Sequence, residues 1–226
     1  MGVGETQVKV WDAPVRLFHW LLVLLFAFMF FSGKSGSDWI EWHMRAGYAV
    51  LALVLFRILW GFAGSTTARF SSFLAGPSAC IEFLKHLLAR KPWPYPGHNP
   101  LGGWMVLVLL LGLLLQTGTG LFSNDDLLNE GPLAALVSKA TSDQVTVVHV
   151  WNFNLLLLLA GVHLAAVLYH AGFMKENLIG AMFTGVKRLP ADAPGGVVAR
   201  FASPWLALVL LAVAALAVYL IVKRPF

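Results

Sequence analysis

The stretch from Gln144 to Gly172 constrains the fold more than any other part of the chain, because it is apolar nearly throughout and contains no Asp, Glu, Lys or Arg. At about 1.5 Å of rise per residue, a helix of this length crosses a bilayer. The stretch also carries three histidines, His149, His163 and His170. Ionisable side chains inside a membrane span are costly, so they indicate a functional site.

The spacing of His149 and His163 indicates two sites at different membrane depths. The 14 residues between them correspond to about 1400° of helix rotation, so both imidazoles lie on one face, about 21 Å apart along the axis. One helix therefore presents an imidazole near each edge of a hydrocarbon core about 30 Å thick. The alternative is that each histidine is a lone polar residue satisfied by a neighbouring helix.

Composition places the whole chain in the membrane class. Of its 226 residues, 58% are hydrophobic and 12% are charged, whereas a soluble domain is about half apolar and a quarter charged. We predict an all-α, integral membrane helical bundle, because long apolar runs are typical of transmembrane helices. Its five spans lie at about 15–32, 42–62, 101–122, 145–171 and 204–222. The single cysteine, Cys80, excludes a covalent c-type haem and a four-cysteine iron–sulfur cluster.

The distribution of positive charge predicts the orientation. Eleven of the sixteen Lys and Arg residues lie on the side of the N-terminus. The positive-inside rule therefore places the N-terminus in the cytoplasm. The C-terminus and the acidic loop between the third and fourth spans then face outward.

The alternating direction of the spans assigns depths to two further histidines. His19 lies near the cytoplasmic edge and His43 near the outer edge, so the depths pair His19 with His163 and His43 with His149. Two axial imidazoles make a six-coordinate haem, which suits electron transfer better than oxygen binding. Histidines that serve as metal or proton sites in a carrier are an alternative, but such a carrier would be expected to have carboxylates within its spans.

Arg57 lies 14 residues after His43, hence on the same helix face and about 21 Å deeper, at the depth of the inner pair. An arginine there needs an anion, for which a haem propionate is suitable; a guanidinium that snorkels to the cytoplasmic surface is the alternative. Gly47 and Gly161 leave room for a macrocycle or serve helix packing.

Two more histidines lie at the cytoplasmic edge. His170 is seven residues past His163 and about 10 Å nearer the cytoplasm. It contacts a propionate, or binds and deprotonates a quinol, or is an ordinary interfacial residue. His98, in GHNP, has the same alternatives. Between the second and third spans, residues 71–91 have the pattern of a helix lying in the membrane interface; a segment facing the solvent is the alternative.

Several short motifs resemble one known family. VWDAPVRLFHW, HMRAGY with FRILWGFAGS, and GHNPLGGW, with the two histidines of the fourth span, resemble the bacterial di-haem cytochrome b561 family. The resemblance covers residues 8 to 188 and is closest to the branch of nickel–iron hydrogenase cytochrome b subunits. It implies a four-helix core with two b-type haems, which exchanges electrons between membrane quinone and a partner redox protein.

Carried over residue by residue, the resemblance implies a set of site residues within a di-haem domain at 1–190. The axial haem ligands are His19, His43, His149 and His163. The quinone lies near the cytoplasmic haem, which points to Arg16, His98 and His170. Residues 191–226 form a linker and the fifth transmembrane helix, which the four-helix core lacks.

The resemblance implies an electron relay in the bacterial inner membrane. Its periplasmic partner is a hydrogenase-like protein or a c-type cytochrome, and the acidic outer loop suits a basic partner surface. The alternative function is a stand-alone superoxide:quinone oxidoreductase, which a positive outer funnel would favour; the outer face carries five basic and six acidic residues. We expect no nucleic-acid partner, and a homodimer stays open.

Overall fold

The computed structural model describes residues 5–90, 95–127, 129–190 and 199–223, and helices dominate it. The helices are α1 (Ala13–Ser32), α2 (Ile40–Ala63), α3 (Phe70–Phe73), α4 (Pro77–Leu88), α5 (Pro100–Gly120), α6 (Lys139–Gly172), α7 (Leu178–Thr184) and α8 (Pro204–Val222). Five of them, α1, α2, α5, α6 and α8, are long and apolar enough to cross a membrane. The predicted all-α class, with five apolar helices of spanning length, is therefore confirmed. Residues 191–198 of the predicted linker, and Lys91 of the predicted interfacial helix, lie outside the described residues.

Polar residues next to the apolar runs determine where two of the helices begin. The carboxylate of Asp12 accepts the Val15 amide at 2.8 Å, and the side chain of Asn99 accepts the Gly102 amide at 2.7 Å. These two contacts cap α1 and α5, and Asp and Asn are residue types that are preferred at this position. The carboxylate of Asp12 also accepts the indole N–H of Trp60 at 3.0 Å, which ties the start of α1 to α2.

Most helix boundaries lie within two residues of the predicted spans, and the start of α6 differs by more. Helix α5 ends at Gly120, two residues before the predicted end. Helix α6 begins at Lys139, well before the predicted start, because the Ser138 hydroxyl accepts the Thr141 amide at 3.2 Å and caps the helix there. The residues of this extension are mostly polar, so hydropathy does not detect them.

The chain divides into two compact units. The first, here called the strand unit, comprises Met1–Leu17, Leu59–Val108 and Ala160–Ala207. The second, here called the histidine-pair unit, comprises Phe18–Ile58, Leu109–Leu159 and Leu208–Phe226.

The strand unit contains a two-stranded antiparallel sheet that the sequence did not predict. Strand β1 (Glu5–Lys9) pairs with β2 (Val186–Pro190). Beside it, the Gly185 carbonyl accepts the amides of Val10 and Trp11 at 2.8 and 3.1 Å. Gly185 has a φ of +81°, and a Cβ atom there would lie 2.7 Å from the Trp11 carbonyl oxygen. This junction therefore requires glycine.

In the histidine-pair unit, the last helix, α8, packs against α2 and against the residue that follows α5. Val218 of α8 is buried with Leu51 of α2 and Leu121, which follows α5. In a bilayer this packing stabilises the fold through van der Waals contact between the helices, because lipid tails are as apolar as these side chains. Helix α8 thus supports α2, the helix that carries His43.

Candidate functional site

The imidazoles of His43 on α2 and His149 on α6 lie close together within the histidine-pair unit. Their ring centroids are 6.4 Å apart and their planes are inclined at 74°. A metal–imidazole bond is about 2 Å long, so two imidazoles on opposite sides of one metal ion have centroids about 6 Å apart. The structure thus brings together the two histidines that the depth match pairs, with room for one metal ion between them.

The hydrogen bonds of His149 determine which ring nitrogen can bind a metal. Nδ1 lies 2.9 Å from the Gln116 carbonyl oxygen and 3.1 Å from the Thr119 hydroxyl oxygen. A carbonyl can only accept, so Nδ1 carries the hydrogen and Nε2 keeps its lone pair. The backbone of α5 therefore holds His149 in the tautomer of a metal ligand.

His43 has an equivalent support at the end of α1. Its Nδ1 lies 3.0 Å from the Ser32 hydroxyl oxygen, and that hydroxyl lies 3.4 Å from the Met29 carbonyl oxygen. When Ser32 donates to Met29, it accepts from Nδ1, and Nε2 of His43 is again left for a metal. A ligand histidine usually donates its second ring N–H in this way, which fixes its orientation.

A mostly apolar cavity of about 290 Å³ surrounds the two rings. This volume is just below the usual range of cofactor pockets, which is roughly 300–1,000 Å³. Its apolar and glycine lining includes Phe26, Met29, Gly33, Gly47, Leu113, Gly120, Phe153 and Leu156. The surroundings and the two free Nε2 atoms fit a haem that is held by two imidazoles and is not covalently attached.

Two glycines leave the space that the rings occupy. A Cβ atom at Gly33 would lie 3.1 Å from Cε1 of His43, and one at Gly120 would lie 3.1 Å from Cε1 of His149. The glycine at position 120 of α5 thus allows the His149 ring to approach the backbone closely. Gly33 was missed because it directly follows α1 and looks like an ordinary helix-terminal glycine.

The proposed inner pair is distributed over both units. His19, on α1, belongs to the histidine-pair unit and is half-buried, with its ring edge-on to Trp20 at 5.0 Å. His163, on α6, belongs to the strand unit and is half-buried. Arg57 is 2% exposed. The pairing of His19 with His163 and the propionate contact of Arg57 stay predictions, as does space for a macrocycle at Gly161, where a Cβ atom would meet nothing within 4 Å.

In the strand unit, His170 belongs to a buried charged cluster. Its Nδ1 lies 2.7 Å from one carboxylate oxygen of Glu176, and the Lys187 ammonium lies 2.5 Å from the other. The His170 ring is parallel to that of Phe83 at 6.5 Å. Burial acts to raise the pKa of Glu176, but the hydrogen bond with His170 and the Lys187 ammonium outweigh it and hold that pKa below its ordinary value. Sequence reasoning missed Glu176 and Lys187, which look like ordinary loop and strand charges.

The other two residues predicted near quinone have different neighbours. The His98 ring packs against Trp11 at 4.7 Å and against Phe73 at 5.0 Å. Arg16 donates from its guanidinium to the Phe183 carbonyl oxygen in α7. Quinone contacts of His98, His170 and Arg16 therefore stay predictions.

Paired imidazoles in an apolar cavity among membrane-spanning helices are the features of a membrane b-type cytochrome. The chain belongs to the family of prokaryotic cytochrome b561, whose model matches residues 10–185. The family's cofactor is therefore haem b, and the matched region ends before α8.

Several curated proteins are similar to this chain. A probable Ni/Fe-hydrogenase B-type cytochrome subunit of Bradyrhizobium diazoefficiens is 24% identical, over 83% of this chain and 88% of the relative. The protein of the same name from Azotobacter chroococcum is 26% identical, over 84% and 92%. The probable Ni/Fe-hydrogenase 1 B-type cytochrome subunit of Escherichia coli K12 is 29% identical, over 50% and 60%. No solved structure is significantly similar to the chain.

Proposed function

We propose that this cytochrome relays electrons through two b haems between membrane quinone and a periplasmic redox partner. The observation that carries the proposal is the close pair of imidazoles of His43 and His149, with ring centroids 6.4 Å apart and with their Nδ1 atoms engaged elsewhere. Such a site supplies two axial ligands and leaves no open coordination position. It therefore exchanges electrons and does not bind oxygen.

The second haem lies between His19 and His163, with Arg57 near a propionate. Support comes from the helical spacing, since both His163 and Arg57 follow a residue of the outer pair by 14 positions. Two irons about 20 Å apart carry an electron across most of the bilayer.

The proposed setting is the bacterial inner membrane, with the N-terminus in the cytoplasm and the C-terminus in the periplasm. The distribution of Lys and Arg supports this orientation. Quinone then exchanges electrons near the inner haem, where His98, His170 and Arg16 are the candidate contacts.

The proposed periplasmic partner is a hydrogenase-like protein, because the similar relatives carry the name of hydrogenase cytochrome subunits. A c-type cytochrome is the second candidate. Three acidic residues of the loop between α5 and α6, together with Asp143 in the first turns of α6, favour a basic docking surface. Lys139 pairs with two of these four residues, Asp126 and Asp143, which reduces their contribution to that preference.

The charges near the outer site disfavour the superoxide alternative. The lining of the cavity includes the acidic residues Asp125 and Glu130 and one basic residue, Lys34. Arg45, two residues after His43, is paired with Glu41. An anion approaching this site therefore meets no net positive field.

A haem count tests the proposal first. Detergent-purified protein should give two b haems per chain in a pyridine haemochrome assay with a parallel protein assay, and a quinol should reduce both. His170→Ala should retain both haems and slow reduction by quinol. A haem content of zero, under conditions that load other b cytochromes, would overturn the relay, and an unchanged quinol rate in His170→Ala would remove that residue from the quinone site.

A further inference from the structure

The buried side chain of Asn152, on α6, is hydrogen-bonded to α5 near the point where α5 also binds the His149 ring. Nδ2 of Asn152 donates to the Gly112 carbonyl oxygen at 2.9 Å and to Oε1 of Gln116 at 2.7 Å. Asn152 is 6% exposed and Gln116 is 9% exposed. An amide nitrogen carries two hydrogens, and these two acceptors use both of them.

These residues form a ladder between the two helices. On α5, Gly112, Gln116 and Gly120 follow one another at intervals of four, which places them on one face. The facing residues of α6 are His149, Asn152 and Leu156, which share a face by the same periodicity. A Cβ atom at Gly112 would lie 2.8 Å from Leu156. The helices therefore approach closely along the whole ladder, as small residues allow in membrane proteins.

Gln116 forms hydrogen bonds with both His149 and Asn152 of α6. Its backbone carbonyl accepts from Nδ1 of His149 at 2.9 Å, while its side chain accepts from Asn152. Both the backbone and the side chain of Gln116 are thus bound by residues of α6. A slide or rotation of α5 relative to α6 would change the length of the bond from His149, and the two bonds of Asn152 oppose such a movement.

We propose that Asn152 is a positioning residue for His149, and that it sets the reduction potential of the outer haem through Gln116. A strong hydrogen bond from Nδ1 of His149 makes its Nε2 a stronger electron-pair donor to the iron, which favours the oxidised state. Removing the amide of Asn152 loosens that bond, so the outer-haem potential rises. This inference rests on the proposed haem site between His43 and His149.

The test compares Asn152→Leu with wild-type protein in a redox titration monitored by absorption, with EPR of the oxidised state. The expected result is a more positive midpoint potential and a changed EPR signal for the outer haem alone, with up to about tenfold weaker haem retention. Gln144→Leu, which changes an exposed amide on the same helix, is the matched control and should leave both haems unchanged.

A milder variant keeps the test decisive if Asn152→Leu fails to fold. Gln116→Leu retains the backbone carbonyl and the bond from Asn152 to Gly112, and it should shift the outer potential in the same direction. The exchange of both residues, Gln116→Asn with Asn152→Gln, restores an amide on each helix and should recover much of the wild-type potential.

Two results would overturn the inference. One is an outer-haem potential and EPR signal that are unchanged in Gln116→Leu and in any Asn152→Leu protein that folds. The other is an equal shift of both haems, which indicates a general loosening of the helices. The wild-type haem count separates these outcomes from failure of the proposed function, because a chain without an outer haem has no outer potential to compare.

Discussion

Gly120 lies so close to His149 that a Cβ atom on the glycine would come within 3.1 Å of ring atom Cε1. A ring bound to iron and to the Gln116 carbonyl cannot move away easily. We expect Gly120→Ala to strain the outer site by about 1–3 kcal/mol, which is roughly a 5- to 150-fold loss of outer-haem affinity. Haem content per chain, measured after detergent dilution, checks this.

The matched control is Gly118→Ala on the same helix, because a Cβ atom there would meet nothing within 4 Å. It should retain wild-type haem content and gain slightly in helix propensity. Equal losses in Gly118→Ala and Gly120→Ala would show that the effect comes from the helix and not from contact with the ring.

Removal of either outer imidazole should abolish one haem only. We expect His43→Ala and His149→Ala to lose about half of the total haem and to keep the inner haem in the reduced absorption spectrum, because the inner haem has its own ligands. Both variants should look alike, since a single remaining imidazole does not hold the six-coordinate state. Loss of the inner haem instead would contradict the assignment of depths.

Removal of the buried charge of Arg57 should change the inner haem. In Arg57→Leu an uncompensated propionate favours the oxidised iron, so the inner-haem potential should fall while the outer potential stays constant. The comparison is Arg45→Leu, which removes an exposed arginine from the same helix and should shift neither haem. An unchanged inner potential in Arg57→Leu would favour the snorkelling alternative.

Contacts that follow from helix periodicity or from neighbouring residues can be predicted from this sequence, whereas contacts between segments far apart in the chain cannot. The pairing of His43 with His149 was predictable, because helical periodicity and membrane thickness fix the depth of each residue. The caps at Asp12 and Asn99 were predictable from local chemistry. The pairing of β1 with β2 was not, since strands separated by most of the chain leave no turn signal between them.

The support of the site was harder to predict than its ligands. Ser32 and Gln116 act on the imidazoles through a hydroxyl and a main-chain carbonyl, and neither group has a distinctive sequence pattern. Glu176 and Lys187 are eleven positions apart on a loop and a strand. Only the fold brings these two charges together with His170.

The cluster around Glu176 makes stability depend on pH. Because His170 and Lys187 hold the pKa of Glu176 below its value in the unfolded chain, the folded state is stabilised above an unfolded pKa of about 4.3. That contribution is lost as the pH falls through the folded pKa. We expect Glu176→Gln, which leaves the Lys187 ammonium buried without its carboxylate, to lower the free energy of unfolding by roughly 1–3 kcal/mol at pH 7.

Thermal unfolding in detergent at pH 7 and at pH 4 or below measures this contribution. The Tm of Glu176→Gln should be lower by about 2–4 °C for each kcal/mol, and the difference from wild type should shrink at the lower pH, where Glu176 of the wild-type protein begins to be protonated. Glu41→Gln is the control, because its ion pair with Arg45 is exposed and contributes little. A difference that stays constant with pH would mean that Glu176 stabilises the fold by packing and not by its charge.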